Sequence, residues 1–379
     1  MTHDSIHDVA AATIRAPLPE EIRFGDWIMR HREFVLVRVR AVSGLAGFAF
    51  SLTRDGPVAA AVSQCVSGQY QAGSYHSPAA LFERALGANL PSLSAGIGMR
   101  ALSLVDLATW DLRARSEGVS ITRLLGGTAM RMPATAIIGY PPGSTDADAV
   151  KKQVSALKDR GWRRFKIAIA LPLERGRDRV LAAREAAGED AWLGVDGAWV
   201  FRRVDEAVAF LDSVRDARLG WFEDVFPPGD AQIVAELRGR AGTAIAMGDE
   251  QGGSYFPEAL LERRAVDVVR VDLTCMGGLT RARDLIDRCK GAAVAFAPHM
   301  YAHVHSQAFA ALGEVVPIEW GVRWTGVDQY ADSLAQPVVA NGEMEPLPES
   351  PGFGPLVNAD WLAEQDVDDP DGIVPSQAD

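Results

Sequence analysis

Residues 192–224 read WLGVDGAWVFRRVDEAVAFLDSVRDARLGWFED, and this stretch decides the fold. A short apolar run, Trp192–Asp196, ends on a carboxylate. Turn residues follow, then Asp205–Arg215 with apolar positions at helical spacing, then a second apolar run, Gly220–Asp224, that again meets carboxylates. A strand, a helix and a second strand of this length form the unit from which parallel sheets are built.

Working outward, the unit repeats. Apolar runs at Ala134–Tyr140, Arg164–Ala170, Ala244–Asp249, Val266–Asp272, Ala292–His299 and Val315–Glu319 join the two already named. Amphipathic segments such as Ala147–Lys158 and Leu279–Lys290 lie between them. Eight strands alternating with helices predict a parallel α/β barrel over residues 131–340. An open doubly wound sheet is disfavoured, because no GxGxxG or GxxxxGK[ST] turn follows the first run.

Residues 1–130 have another texture. Glu33–Val39 reads as a strand, and with Phe48–Phe50 beyond Gly44 and Gly47 it forms a hairpin. Ala101–Leu112 has helical spacing, and Leu124-Leu125-Gly126-Gly127 stops the helical region. This part reads as an α+β capping unit. Residues 341–379 carry Pro346, Pro348, Pro351, Gly352 and Gly354, and read as an extended tail that packs back on the capping unit and frays after about 365.

Composition narrows the function. The 379 residues carry 38 basic and 50 acidic side chains, a net charge of −12, which argues against a nucleic-acid partner. No apolar run approaches the roughly 18 residues a membrane helix needs, and the N-terminus lacks a signal-peptide core. Cys65, Cys275 and Cys289 have neither disulfide-framework nor zinc spacing, which favours a cytoplasmic location.

The runs share one feature. Lys166, Asp196, Glu223, Asp249, Asp272, His299 and Glu319 stand at or near their ends, spaced 30, 27, 26, 23, 27 and 20 residues apart. Strands of a barrel point one way, so these side chains converge on one mouth, where barrel active sites lie. Clustered carboxylates repel unless a cation neutralises them. Asp196, Glu223 and Asp249, on three successive strands, form a hard oxygen set suited to Mg²⁺, with Mn²⁺ as the alternative; zinc would call for His or Cys. Asp224 and Glu250 sit one residue beyond two of these ligands, and alternation along a strand would turn them away from the mouth. Asp272 and His299 suggest a carboxylate-oriented general base.

These motifs, in this order, resemble the mandelate racemase subgroup of the enolase superfamily. The resemblance rests on Phe165-Lys166-Ile167-Ala168, Val195-Asp196-Gly197, Trp221-Phe222-Glu223-Asp224, Met247-Gly248-Asp249-Glu250, Val271-Asp272 with Gly277-Gly278, Pro298-His299, Pro317-Ile318-Glu319 and Pro351-Gly352-Phe353-Gly354. It implies a modified (β/α)7β TIM-like barrel under an α+β cap, and Mg-dependent abstraction of the proton α to a carboxylate through an ene-diolate. It further implies that Lys166 contacts the substrate carboxylate or helps with charge, that Glu319 is protonated and donates a hydrogen bond, and that the protein is a homo-oligomer acting on a small carboxylate. Capping loops would set specificity, with Arg15–Trp27, Phe50–Pro57, Arg23, Arg54 and Tyr140 as candidates.

One departure matters. The second lysine of the family's Lys-x-Lys is Ala168 here. With one base, dehydration of a sugar acid to a 2-keto acid is expected; a racemase or epimerase is the alternative, and a catalytically silent relative the reading from another class.

Overall fold

The computed structural model describes residues 4–24, 27–322, 330–335, 339–347 and 349–374; Gly25, Asp26 and Pro348, named in the loop and tail readings, lie outside them. The chain opens on three long antiparallel strands, β1 (Ile6–Phe24), β2 (Trp27–Ala41) and β3 (Ala46–Leu52). β2 and β3 extend beyond the expected runs Glu33–Val39 and Phe48–Phe50, and β1 has no counterpart among the expected strands. Its alanine-rich start and Pro17 and Pro19 carry a weak strand signal, and it is the pairing of Ile6–Pro17 against β2 that holds it extended.

Helices α1 (Pro78–Ala88) and α2 (Gly96–Ser116) follow. Along α2, Leu102, Val105, Leu112 and their neighbours are buried against β2 and β3. Gly47 allows the close approach: a Cβ there would lie 2.2 Å from the Ala108 carbonyl oxygen and from the Leu112 nitrogen.

Eight parallel strands then alternate with seven helices: β4 (Met132–Ile138), α3 (Ala147–Asp159), β5 (Arg164–Ala168), α4 (Leu173–Ala187), β6 (Trp192–Asp196), α5 (Val204–Ser213), β7 (Trp221–Glu223), α6 (Ala231–Arg238), β8 (Ile245–Met247), α7 (Tyr255–Glu262), β9 (Val268–Val271), α8 (Gly278–Gly291), β10 (Ala295–Pro298), α9 (Ala302–Ala311) and β11 (Ile318–Gly321). Successive strands pair in parallel from β4 to β10, and β11 pairs with β4 from the other side. This is a (β/α)7β barrel. His303 and His305 lie buried on α9.

Beyond the barrel, a hairpin of β12 (Val339–Ala340) and β13 (Glu343–Met344) joins the start of β4, so it spans position 340, where the sequence reading placed a boundary. The chain then returns to the cap. Phe353 N–H donates to Asp111 at 2.6 Å, and Trp361 packs edge-on to Phe34, with ring centroids 5.4 Å apart. The stretch after 365, expected to fray, instead forms β14 (Asp366–Asp368) on the free edge of β1. Edge pairing and the apolar contacts before it hold the tail in place.

Candidate active site

Five of the seven candidate side chains, Lys166, Asp196, Glu223, His299 and Glu319, line one mouth, and the other two are buried beside it, Asp272 against His299 and Asp249 beside Arg270. Ala168 pairs with Asp196 and Asp196 with Glu223, so these positions share one level of the barrel. Lys166 lies two residues deeper on β5, and Glu319 is the second residue of β11 and not its last. The mouth cavity is lined by Arg32, Arg54, Ile137, Tyr140, Lys166, Asp196, Ala198, Trp199, Glu223, Asp224, Glu250, His299, Met300 and Glu319. Left-handed backbone recurs around it, at Arg54, Ala198, Trp199, Asp224, Glu250, Met300 and Tyr301. Such conformations are costly away from glycine and cluster at functional sites.

Carboxylate oxygens of Glu223, Asp224 and Asp249 come within 4.8 Å of one another. Asp196 lines the same cavity; its Oδ1 accepts the Ala198 N–H at 2.9 Å, and an oxygen lies 3.5 Å from Lys166 Nζ. Among the described residues, no hydrogen-bond partner reaches Glu223 Oε2 or either Asp249 carboxylate oxygen, all of them buried. Buried carboxylate oxygens left this way are costly unless a cation takes them. The donor set is therefore suited to a hard divalent ion. Burial, aided by the neighbouring acids, pushes the Glu223 carboxyl up to about 7 and also raises Asp224 and Asp249.

Asp224 and Glu250 depart from the sequence reading: both line the mouth. The expected alternation fails because β7 ends at Glu223 and β8 at Met247, and φ is 45° at Asp224 and 65° at Glu250. A left-handed turn redirects a side chain that a continued strand would have sent outward.

His299 Nδ1 lies 3.2 Å from Asp272 and its Nε2 lies 3.4 Å from Glu250. Burial opposes a charge on the ring, but the Asp249 and Glu250 carboxylates and the Asp272 contact outweigh it and raise the imidazole to about 9. Glu250 is in turn gripped by Arg54 from the end of the capping hairpin and by Arg100 from α2, the latter at 2.9 Å. Of the proposed specificity residues, Arg54 and Tyr140 line the cavity, whereas Arg23 is exposed and pairs with Glu21.

Lys166 Nζ lies 2.6 Å from Glu319, 3.1 Å from Glu223 and 3.5 Å from Asp196. Burial opposes its charge, but the three carboxylates dominate and hold the ammonium well above its usual range. Glu319 corrects the sequence reading. It accepts from Lys166, from Arg270 at 2.5 Å and from the Met300 N–H at 3.1 Å. Against its burial, Arg270 and Lys166 hold this carboxyl below its ordinary range, which with three donors on it favours the anion over the expected protonated donor. Arg270, buried on β9, was missed because an arginine inside an apolar strand has no spacing signature; only the excess of acids over one lysine hinted at a further cation.

Comparison with known proteins places the chain in a family. Residues 8–126 match the family described as mandelate racemase / muconate lactonizing enzyme, N-terminal domain, and residues 149–361 match enolase C-terminal domain-like proteins. A D-galactarolactone cycloisomerase from Agrobacterium fabrum is 27% identical over 357 residues, covering 89% of this chain and 93% of that protein. A D-galactonate dehydratase family member from a Streptomyces species is 27% identical over 235 residues, 54% of this chain and 52% of its own length. The crystal structure of a racemase from Streptomyces coelicolor with bound magnesium superposes with a TM-score of 0.84 at 22% identity, covering 94% of this chain and 99% of that one.

Proposed function

The chain belongs to the family of mandelate racemase / muconate lactonizing enzyme-like proteins of the enolase fold, and from that premise we propose that it removes the proton α to the carboxylate of a sugar acid and expels the β-hydroxyl, giving a 2-keto acid. The observation that carries this reading is the inequality of the two candidate bases. His299 has an oriented ring with Nε2 toward the mouth. Lys166 is pinned as a cation among three acids, and Ala168 carries no proton to exchange.

Racemisation requires proton exchange on both faces of the α-carbon; elimination requires one base. In this reading His299 takes the α-proton at Nε2, Asp272 steadies the imidazolium through Nδ1, and the new proton is then delivered to the departing hydroxyl. Lys166 meets the substrate carboxylate as a point charge, and Glu319 fixes Lys166. Asp196, Glu223 and Asp249 would hold magnesium, which supplies positive charge where the carboxylate gains negative charge. Arg54 and Tyr140 would meet the distal hydroxyls.

A second reading is a cycloisomerase, favoured by the likeness to D-galactarolactone cycloisomerase over nearly the whole chain. It also needs only one base. A screen of sugar acids and their lactones with Mg²⁺, read by mass, tests the two. A 2-keto acid lighter by one water supports dehydration, an isobaric product from a lactone supports the second reading, and no turnover of any acid or lactone contradicts both.

A further inference from the structure

Arg270 has no part in the chemistry above, yet it is fully buried at 0% exposure. Its Nε donates to Glu223 Oε1 at 2.9 Å, and Nη2 donates to Glu319 Oε1 at 2.5 Å. Nη1 donates to the carbonyls of Ala297 at 3.3 Å and Pro298 at 3.0 Å. The Trp221 ring lies 5.0 Å from the guanidinium carbon. The fork is thus fixed by backbone on one side and an aromatic face on another.

Lys166 reaches the same two oxygens, Glu223 Oε1 at 3.1 Å and Glu319 Oε1 at 2.6 Å. Two cations therefore share two carboxylate oxygens. Glu223 cannot turn without breaking two charge-assisted hydrogen bonds. Its Oε1 is committed to the two cations, and its Oε2 is buried with no donor among the described residues, on a side chain that has an oxygen within 4.8 Å of an Asp249 oxygen. Arg270 Nε stands 3.7 Å from Asp249, beyond hydrogen-bond range, so the Asp249 oxygens stay open as well.

We infer that Arg270 is a positioning residue of the metal centre, pinning Glu223 through Oε1 so that Oε2 alone is presented to the cation. The inference rests on the metal reading of Asp196, Glu223 and Asp249. It has a rival of opposite sign. If Arg270 were only a counter-charge, removing it would leave the acids more negative and bind a cation more tightly. If it orients a ligand, removing it weakens binding, by about 10–100-fold for an outer-shell partner of this kind.

Calorimetric titration of Mg²⁺ into the metal-stripped full-length protein separates the two, with circular dichroism to confirm the fold. Arg270→Lys keeps the charge and loses the fork; Arg270→Met loses both. The expected result is binding weaker by about tenfold or more in Arg270→Lys and weaker again in Arg270→Met. Wild-type affinity in Arg270→Lys with tighter binding in Arg270→Met would overturn the inference. Should Arg270→Met fail to fold, Arg270→Lys decides alone, and unchanged affinity overturns it. Failure of the wild-type protein to bind Mg²⁺ would instead bring down the metal reading itself.

Discussion

Asp272 Oδ2 lies 3.2 Å from His299 Nδ1, and this contact decides which ring nitrogen is left for chemistry. The other Asp272 oxygen accepts the N–H and the hydroxyl of Thr274, at 2.8 and 2.7 Å, so the carboxylate cannot rotate away. Ser51 of β3 donates to the same Thr274 hydroxyl at 3.1 Å, and the Tyr301 hydroxyl accepts the Leu52 N–H at 3.1 Å. The cap is thereby tied to the dyad.

Replacing the base should remove turnover without removing the metal site. His299→Asn is expected to lower kcat by about 10²–10⁴-fold, the usual worth of a general base, with Mg²⁺ binding retained. Steady-state kinetics on a turned-over acid, beside calorimetry, check this. Retained turnover would take His299 out of the mechanism.

The acid cluster makes metal binding depend on pH. Burial raises Glu223 to about 7, with Asp224 and Asp249 raised beside it, so below that pH protons compete with the cation. Mg²⁺ affinity should fall as pH drops from 8 to about 5.5, and binding near pH 7 should release protons. Titration in buffers of different ionisation enthalpy measures the release. An affinity flat across this range would argue that these acids are not the ligands.

Arg54 and Arg100 restrain the charge that Glu250 presents to His299. The imidazole must be neutral to act as a base, so activity should rise with pH as the ring, held near 9 in the metal-free protein, gives up its proton. In Arg54→Leu the less compensated Glu250 favours the imidazolium more, and the rise should move to higher pH. A pH–rate profile for both proteins checks the direction; a shift to lower pH would mean that Glu250 does not act on His299.

Gly278, at the start of α8, has φ +64°, and a Cβ there would meet Asp106 Oδ2 at 2.2 Å. Asp106 accepts from the Thr280 N–H at 3.0 Å and the Thr280 hydroxyl at 2.6 Å, capping the helix that follows the dyad strand. Gly278→Ala should destabilise the protein by about 2 kcal/mol or more, through the left-handed backbone and the displaced cap. Thermal or denaturant unfolding reads it, and an unchanged Tm would contradict it.

Sequence and structure agree most where chemistry and periodicity coincide. Trp192–Asp196 is both an apolar run and the observed strand. Val315–Glu319 slid to Ile318–Gly321, because an apolar run does not mark where pairing with β4 begins, and Glu319 consequently lies inside the barrel. The turns that bring Asp224 and Glu250 to the mouth depend on backbone conformation that side-chain patterns do not encode. The preference of Glu319 for the anion follows from Arg270, a partner 49 residues away that only the folded barrel places beside it.

The most direct test of one-base chemistry is isotopic. A turned-over acid and its α-epimer are each incubated with the protein and Mg²⁺ in D₂O, and deuterium at the α-carbon is followed by NMR in recovered substrate, for the wild type and His299→Asn. The account predicts that only one α-configuration reacts or exchanges, that its epimer gains no deuterium, and that His299→Asn abolishes exchange. Interconversion of the two configurations, with deuterium entering from both faces, would contradict it and make Lys166 a second base.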